Sequence, residues 1–490
     1  MTTSVLAGES RLLIDGVLSE AASGKRYDNI NPANEEVIGS TADATAEDMD
    51  RAIAAARRAF DTTEWATNHA LRQSCLRQLH AAIVEEKEAL RAELVAEAGS
   101  PVSATYMAQL DWPLEDGLLY PAQLIEDVLW ERELPDTTTM GGINHRFIYK
   151  EAIGVVAAII PWNFPFEVAI NKIAPALAAG NAVILKPAPD TPWTATRIGR
   201  LVAEHTEIPA GIFNVVPTSD NKVAERLLTD PRIDMVSFTG STAVGRLVSN
   251  LSGQTVKRTF LELGGKSAMI VLDDADFAAT IPFSMMATMH AGQGCALPSR
   301  LLVPRSRYDE AVEIVTAVYG SIPYGDPTDM GTFCGPLANA KQHQRVLGYI
   351  EKGKQEGGRV TVGGGRPAQF DRGYFVQPTV FADVDNGMTI AQEEIFGPVL
   401  AVIAFVDDDD AIRIANDSAY GLSGYLFGSD PQRLERVYRG VRSGTINVNG
   451  GLFYGADAPF GGYKQSGNGR QGGPEGLEQY LETKTIGLRC

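Results

Sequence analysis

Between Gly154 and Leu272 short apolar runs alternate with helical patterns, and this alternation constrains the fold more than any other feature of the chain. GVVAAIIP reads as a buried strand. FEVAINKIAPALAAG follows as a helix with Phe166, Ile170, Ile173 and Leu177 on one face and Gly180 as its stop. AVILKP is the next strand, after which Thr191 and Pro192 offer an N-cap and a first-turn proline for a helix through TATRIGRLVAEH. IFNVV, a helix around KVAERLL, IDMVSFTG, a helix through AVGRLVSNL, and TFLEL continue the series. Parallel neighbours need crossover connections, so the alternation predicts a parallel sheet covered on both faces. That is a doubly wound α/β architecture of the dinucleotide-binding kind.

At 490 residues the chain is too long for one core, and two or three domains are expected. A formal net charge of −18 argues against nucleic acid or an anionic membrane as a partner. The opening MTTSVLAGESRLLIDG has no signal-peptide pattern, and no apolar run reaches the roughly 18 residues of a membrane span. Of the four cysteines, Cys75 lies in a helical pattern, Cys334 in FCGPL and Cys490 at the last position; none belongs to a C-x-x-C pair. Metal and disulfide readings lose support, and a reducing cytoplasm fits.

The fourth, Cys295, lies in HAGQGCALPSR. A lone cysteine is ordinarily a small buried hydrophobe. Here Gly292, Gly294 and Ala296 offer little bulk to bury it and much backbone to expose around it. Upstream, FLELGGKSA puts Glu262 before a Gly-Gly pair, and PWNFP puts Asn163 on a proline-bracketed turn. A thiol, a carboxylate and an amide are the nucleophile, base and oxyanion donor that aldehyde oxidation through a thioester requires. The plainer readings are a turn amide bonded to its own backbone for Asn163 and a salt-bridged strand-end carboxylate for Glu262.

Glycine motifs need sorting. Gly467, Gly469 and Gly472 satisfy G-x-G-x-x-G, but GYKQSGNGRQGG follows no strand and opens no clear helix, so it reads as a loop. GGKS fails as a P-loop because Phe260 stands where the first glycine belongs. SFTGSTAVG is the better candidate: strand residues lead into Gly240 and Ser241 at a helix start, where free N–H groups and the helix dipole favour a pyrophosphate.

Seven ordered motifs resemble the NAD(P)-dependent aldehyde dehydrogenase superfamily along almost the whole chain: PWNFP, ILKPAPDTP, FTGSTAVG, LELGGKS, GQGC with Arg300 five residues on, EEIFGPV and PFGGYKQSG. The resemblance implies Cys295 as nucleophile, Glu262 as the base that activates the deacylating water, and Asn163 with the Cys295 N–H as oxyanion hole, with Lys172 near the catalytic centre. It implies NAD as cofactor, with NADP possible, held by Lys186 at the adenosine ribose, Trp162, Gly240 and Ser241 at the pyrophosphate, and Glu394 and Phe396 at the nicotinamide ribose and ring. A substrate channel falls on Val168, Asn171, Gly294, Ala296, Tyr454 and Phe460, with small residues beside Cys295 leaving room for a bulky, even aromatic, aldehyde. With no arginine there to grip a distal carboxylate, neutral aldehydes rank above semialdehydes.

The implied fold has a doubly wound coenzyme domain (1–129 and 151–262), an α/β catalytic domain (263–465) and a small oligomerisation sheet (130–150 and 466–490), hence a homodimer or homotetramer. One departure concerns the coenzyme. Many NAD-preferring relatives carry a glutamate three residues after the lysine that repels a 2′-phosphate, and this chain has Pro189 there, followed by Asp190. Two rival functions remain: an acylating relative that passes its thioester to coenzyme A, which commonly lacks the base seen here as Glu262, and a non-catalytic protein that keeps the fold.

Overall fold

The computed structural model describes Leu6 and residues 8–489, so Cys490 lies outside the described residues. The predicted alternation builds an eight-stranded sheet. Its five parallel strands lie side by side in the order Arg258–Glu262, Met235–Thr239, Val155–Ile159, Ala182–Lys186 and Phe213–Val215. Of these five, the chain lays down the first, Val155–Ile159, in the middle, builds outward on one side, then returns to build on the other. At that reversal the connections leave Val155–Ile159 and Met235–Thr239 in opposite directions and open a crevice beyond their carboxyl ends, where ligands of such sheets bind. PWNFP follows the first of these strands, Gly240 and Ser241 follow the second, and Glu262 ends the neighbouring third.

The helix after PWNFP, Pro165–Ala178, is buried on most of its circumference. Its stop is the expected one, with Gly180 at φ 95°. The helix Trp193–His205 starts differently from expectation. Among the described residues Thr191 Oγ1 has no hydrogen-bond partner, and the first-turn N–H groups of Trp193 and Thr194 instead donate to the buried Glu97 carboxylate at 3.0 and 3.1 Å. A side chain from a distant helix fills the role a local hydroxyl usually takes, because the helix start is enclosed and its orphan donors need an acceptor.

A second sheet of seven strands follows the order Arg359–Val362, Thr379–Ala382, Val399–Phe405, Arg300–Pro304, Ala268–Val271, Ser423–Phe427 and Thr445–Val448. All neighbours are parallel except the first pair. Each large sheet has its own apolar core, and Leu477, Tyr480 and Leu481 pack into the first. Glu131–Thr139, Gly142–Ala152 and Leu481–Arg489 form a separate antiparallel sheet.

The glycine-rich GYKQSGNGRQGG segment is more ordered than a plain loop. Gly467–Asn468 pairs antiparallel with Leu261 and Glu262, and a short helix, Gly473–Glu478, starts directly after Gly472. A Cβ on Gly467 would stand 1.9 Å from the Leu261 carbonyl oxygen, so the glycine is what allows this edge to close. Among the described residues no helix is long and apolar enough to cross a membrane.

Candidate active site

A cavity of about 640 Å³ opens at the reversal point, between the two large sheets. Cys295 lies in the turn between the 3-10 segment Ile281–Gly292 and the strand Arg300–Pro304, so the second sheet delivers the thiol to residues carried by the first. Glycines make the approach possible. A Cβ on Gly265 would sit 2.2 Å from the Cys295 carbonyl oxygen, and one on Gly264 would sit 2.3 Å from Glu394 Oε2. The Gly-Gly pair after Glu262 is therefore what brings Glu262, Cys295 and Glu394 together.

Glu262 is 2% exposed, and its Oε1 has no hydrogen-bond partner among the described residues. Burial pushes its carboxyl up to about 7, against the opposing pull of the Cys295 thiol and the Lys172 ammonium. Cys295 is partly accessible, and enclosure together with the facing Glu262 carboxyl holds its thiol well above the usual range, with Glu394 and Glu167 adding to the effect. At rest the sulfur is therefore a thiol. It becomes a nucleophile when a base takes its proton, and Glu262 is the carboxyl against it.

Asn163 is 5% exposed. Its Nδ2 donates to the Gln293 carbonyl at 2.8 Å, and its own carbonyl accepts from Gln109 Nε2 at 2.8 Å. Gln293 is itself clamped: its Oε1 accepts from the Ala338 N–H at 2.8 Å and its Nε2 donates to the His290 carbonyl at 3.0 Å. One hydrogen of the Asn163 amide is thus spent on aiming it, and the second remains for a ligand. The Cys295 N–H also finds no backbone acceptor among the described residues.

The wall beyond Cys295 suits a dinucleotide. Ser241 caps the helix Thr242–Gly253, its Oγ accepting the Val244 N–H at 3.3 Å, and with Gly240 it brings a helix N-terminus to the cavity. Trp162 and Phe396 meet edge to face, their ring centroids 5.5 Å apart, with Phe396 held at φ 58°. Glu394 accepts the Gly265 N–H at 2.9 Å on Oε1, and burial raises its carboxyl to about 7. Anion cradle, flat aromatic faces and a hydroxyl acceptor match a nicotinamide dinucleotide.

Fourteen of the sixteen residues picked out from sequence line this one cavity, including Val168, Asn171, Gly294, Ala296, Tyr454 and Phe460. Lys172 and Lys186 are not among its lining residues. Lys172 is fully buried behind the base, donating to Ser237 Oγ at 3.2 Å, and burial lowers it to about 7 while Glu262 pulls it back up. Burial likewise lowers Lys186, to about 8. Asp190 accepts from Asn339 Nδ2 at 3.0 Å. Sequence reasoning passed over Glu167, Trp112, Asp116 and Phe453, all cavity-lining. The one available signal was the helical spacing of Glu167 and Asn171.

The family model described as the aldehyde dehydrogenase family matches residues 19–486. The chain belongs to the aldehyde dehydrogenase family. Among its relatives, 3-succinoylsemialdehyde-pyridine dehydrogenase of a Pseudomonas species is 40% identical over 481 residues, covering 96% of this chain and 97% of the relative. Geranial dehydrogenase of Castellaniella defragrans is 40% identical over 480 residues, covering 97% and 98%. Among solved structures, a Mycobacterium tuberculosis aldehyde dehydrogenase complexed with NAD+ superposes with TM-score 0.92 at 42% identity, covering 97% of each chain. Betaine aldehyde dehydrogenase of Staphylococcus aureus in complex with NAD+ gives TM-score 0.95 at 37% identity, covering 99% of this chain and 96% of that one. The chain is thus an aldehyde dehydrogenase, an oxidoreductase that turns an aldehyde into a carboxylic acid with a nicotinamide coenzyme.

Proposed function

We propose that Cys295, Glu262 and Asn163 carry this oxidation, with NAD as the preferred coenzyme and a neutral, bulky aldehyde ranked above a semialdehyde. The observation that carries the reading is the convergence of thiol, unpartnered carboxyl oxygen and aimed amide in one cavity. Glu262 takes the Cys295 proton, and the sulfur adds to the aldehyde carbon. The resulting alkoxide is received by the Asn163 amide and the Cys295 N–H; one such donor is worth about 2.7 to 4 kcal/mol of barrier. NAD, when bound, would supply the hydride acceptor, and Trp162, Gly240, Ser241, Glu394 and Phe396 would hold it. Loss of hydride from that carbon leaves a thioester on Cys295. Glu262, having passed the thiol's proton to solvent, is again a carboxylate and takes a proton from water as its oxygen attacks the thioester carbonyl; it returns that proton to the departing sulfur as the acid leaves.

Lys172 acts from behind Glu262 by favouring its charged form. Lys186 is the candidate for the adenosine ribose. A homodimer or homotetramer through the three-stranded sheet is supported by Leu481–Arg489, which lies at an edge of that sheet. Free Cys75, Cys295 and Cys334 accord with a reducing cytoplasm. One assay tests the reading: reduced nicotinamide is followed with an aldehyde panel, with both coenzymes, with and without coenzyme A. Steady turnover without coenzyme A is the expected result. Turnover only with coenzyme A would make the chain acylating, and no turnover would make it non-catalytic.

A further inference from the structure

Glu167 is a carboxyl in this cavity that neither catalysis nor coenzyme holding accounts for. It stands in the first turn of Pro165–Ala178, four residues before Asn171, and both line the cavity from one side of the helix. An acid in a first turn gains from the helix dipole on any exposed surface. Here, by contrast, the half-buried side chain faces the cavity. It is paired with the Tyr454 phenol, desolvation pushes the carboxyl up to about 8, and among the described residues no cation pairs with it. Asp116, on the same wall, is occupied differently, accepting the Ala456 N–H at 3.3 Å.

The surroundings sharpen the reading. Trp112 and Tyr454 meet with ring centroids 5.1 Å apart, and Phe453 and Phe460 stack at 5.3 Å, so this end of the cavity is walled by aromatic faces. The lysine and arginine that line the cavity, Lys341 and Arg345, both belong to the helix Ala340–Gln355, and Arg345 donates to the Glu394 carbonyl at 2.7 Å on the coenzyme side. The substrate end therefore holds a half-buried acceptor, aromatic walls and, among the described residues, no lysine or arginine. Such a pocket offers a carboxylate no cation and leaves a carboxyl oxygen open to a donor, which a hydrocarbon cannot supply.

We propose that Glu167 is a specificity-determining residue that accepts a hydrogen bond from the far end of the substrate, selecting aldehydes that end in an ammonium or hydroxyl group over plain alkyl and carboxylate-ended ones. The proposal rests on the cavity being the aldehyde site. The charge of an ammonium and the aromatic faces beside it favour the same occupant.

The test uses the purified full chain with NAD and four aldehydes of matched length, ending in methyl, hydroxyl, ammonium or carboxylate, against the wild type, Glu167→Leu and Glu167→Gln. In the wild type kcat/KM is highest for a donor-ended substrate and lowest for the carboxylate. Glu167→Leu lowers the donor-to-alkyl ratio of kcat/KM by at least about tenfold. Glu167→Gln, which keeps an acceptor oxygen but cannot ionise against a bound ammonium, retains the hydroxyl-to-alkyl ratio and loses the ammonium-to-alkyl ratio, and so separates the two donors. A wild type that does not discriminate among the four, or ratios that stay the same in Glu167→Leu, overturns the assignment while leaving the dehydrogenase reading intact. A wild type that oxidises none of the four brings down that reading itself.

Discussion

Replacing Glu262 by glutamine separates the two halves of the reaction. The carboxyl is enclosed, has an unpartnered Oε1 and faces the Cys295 sulfur, so it is placed to take a proton first from the thiol and later from water. Glutamine keeps the shape and removes the basicity. A positioned general base contributes about 10² to 10⁴ in rate, which at 1.36 kcal/mol per decade is about 2.7 to 5.5 kcal/mol of barrier. The thiol retains a slow route to ionisation by solvent, whereas the thioester awaits an activated water at every turnover. Rapid mixing with aldehyde and NAD, following reduced nicotinamide, is expected to show a slowed burst of up to one equivalent per active site, then a steady rate lower by about 10² to 10⁴.

The same variant carries a pH signature. Only the deprotonated carboxylate acts as base, and burial raises it to about 7, so wild-type turnover climbs as pH rises through about 7 and then levels. That limb vanishes in Glu262→Gln. Two results would refute the reasoning: loss of the burst together with turnover, which makes Glu262 indispensable to acylation, or turnover within about threefold of wild type, well short of a base's contribution.

Cys295→Ala is expected to abolish both hydride transfer and covalent trapping of aldehyde, read by intact-mass spectrometry; residual steady turnover ends the thioester route. Lys172→Met removes the ammonium that lowers Glu262, so the rising limb of the pH profile moves to higher pH, and an unmoved limb shows that the two groups do not communicate. Pro189→Glu is expected to raise the ratio of kcat/KM for NAD over that for NADP, since it adds at that position a carboxylate that repels a 2′-phosphate; an unchanged ratio removes position 189 from coenzyme choice. Gly265→Ala puts a methyl 2.2 Å from the Cys295 carbonyl oxygen, and the strain of overpacking lowers stability by about 1 to 3 kcal/mol in denaturant titration and lowers kcat/KM with it.

The sequence made the parallel strands readable because each is a short apolar run bounded by a helix pattern, and the proposed trio of Cys295, Glu262 and Asn163 because each member stands where such a strand ends or a glycine-rich turn begins. What stayed hidden has physical causes. The cap on Trp193–His205 comes from Glu97, a contact no local pattern encodes. Gly467–Asn468 is too short to show a period of two. Ala182–Lys186 is buried at every position, so alternation gives no clue to which way Lys186 points, and the lysine does not line the cavity. Glu167 escaped notice because a first-turn acid is what any helix accepts, and only the fold reveals that this one faces inward.

The pairing of Gly467–Asn468 with Leu261 and Glu262 has a consequence for biosynthesis. Made from the amino end, the chain has Cys295, Glu262 and Asn163 outside the ribosome long before residue 468 emerges. Until then the strand that carries Glu262 has a bare edge. The cavity is therefore finished late, by a pair of residues that supplies none of the three side chains, and an interrupted chain carries Cys295 without the completed frame that sets Glu262 against it.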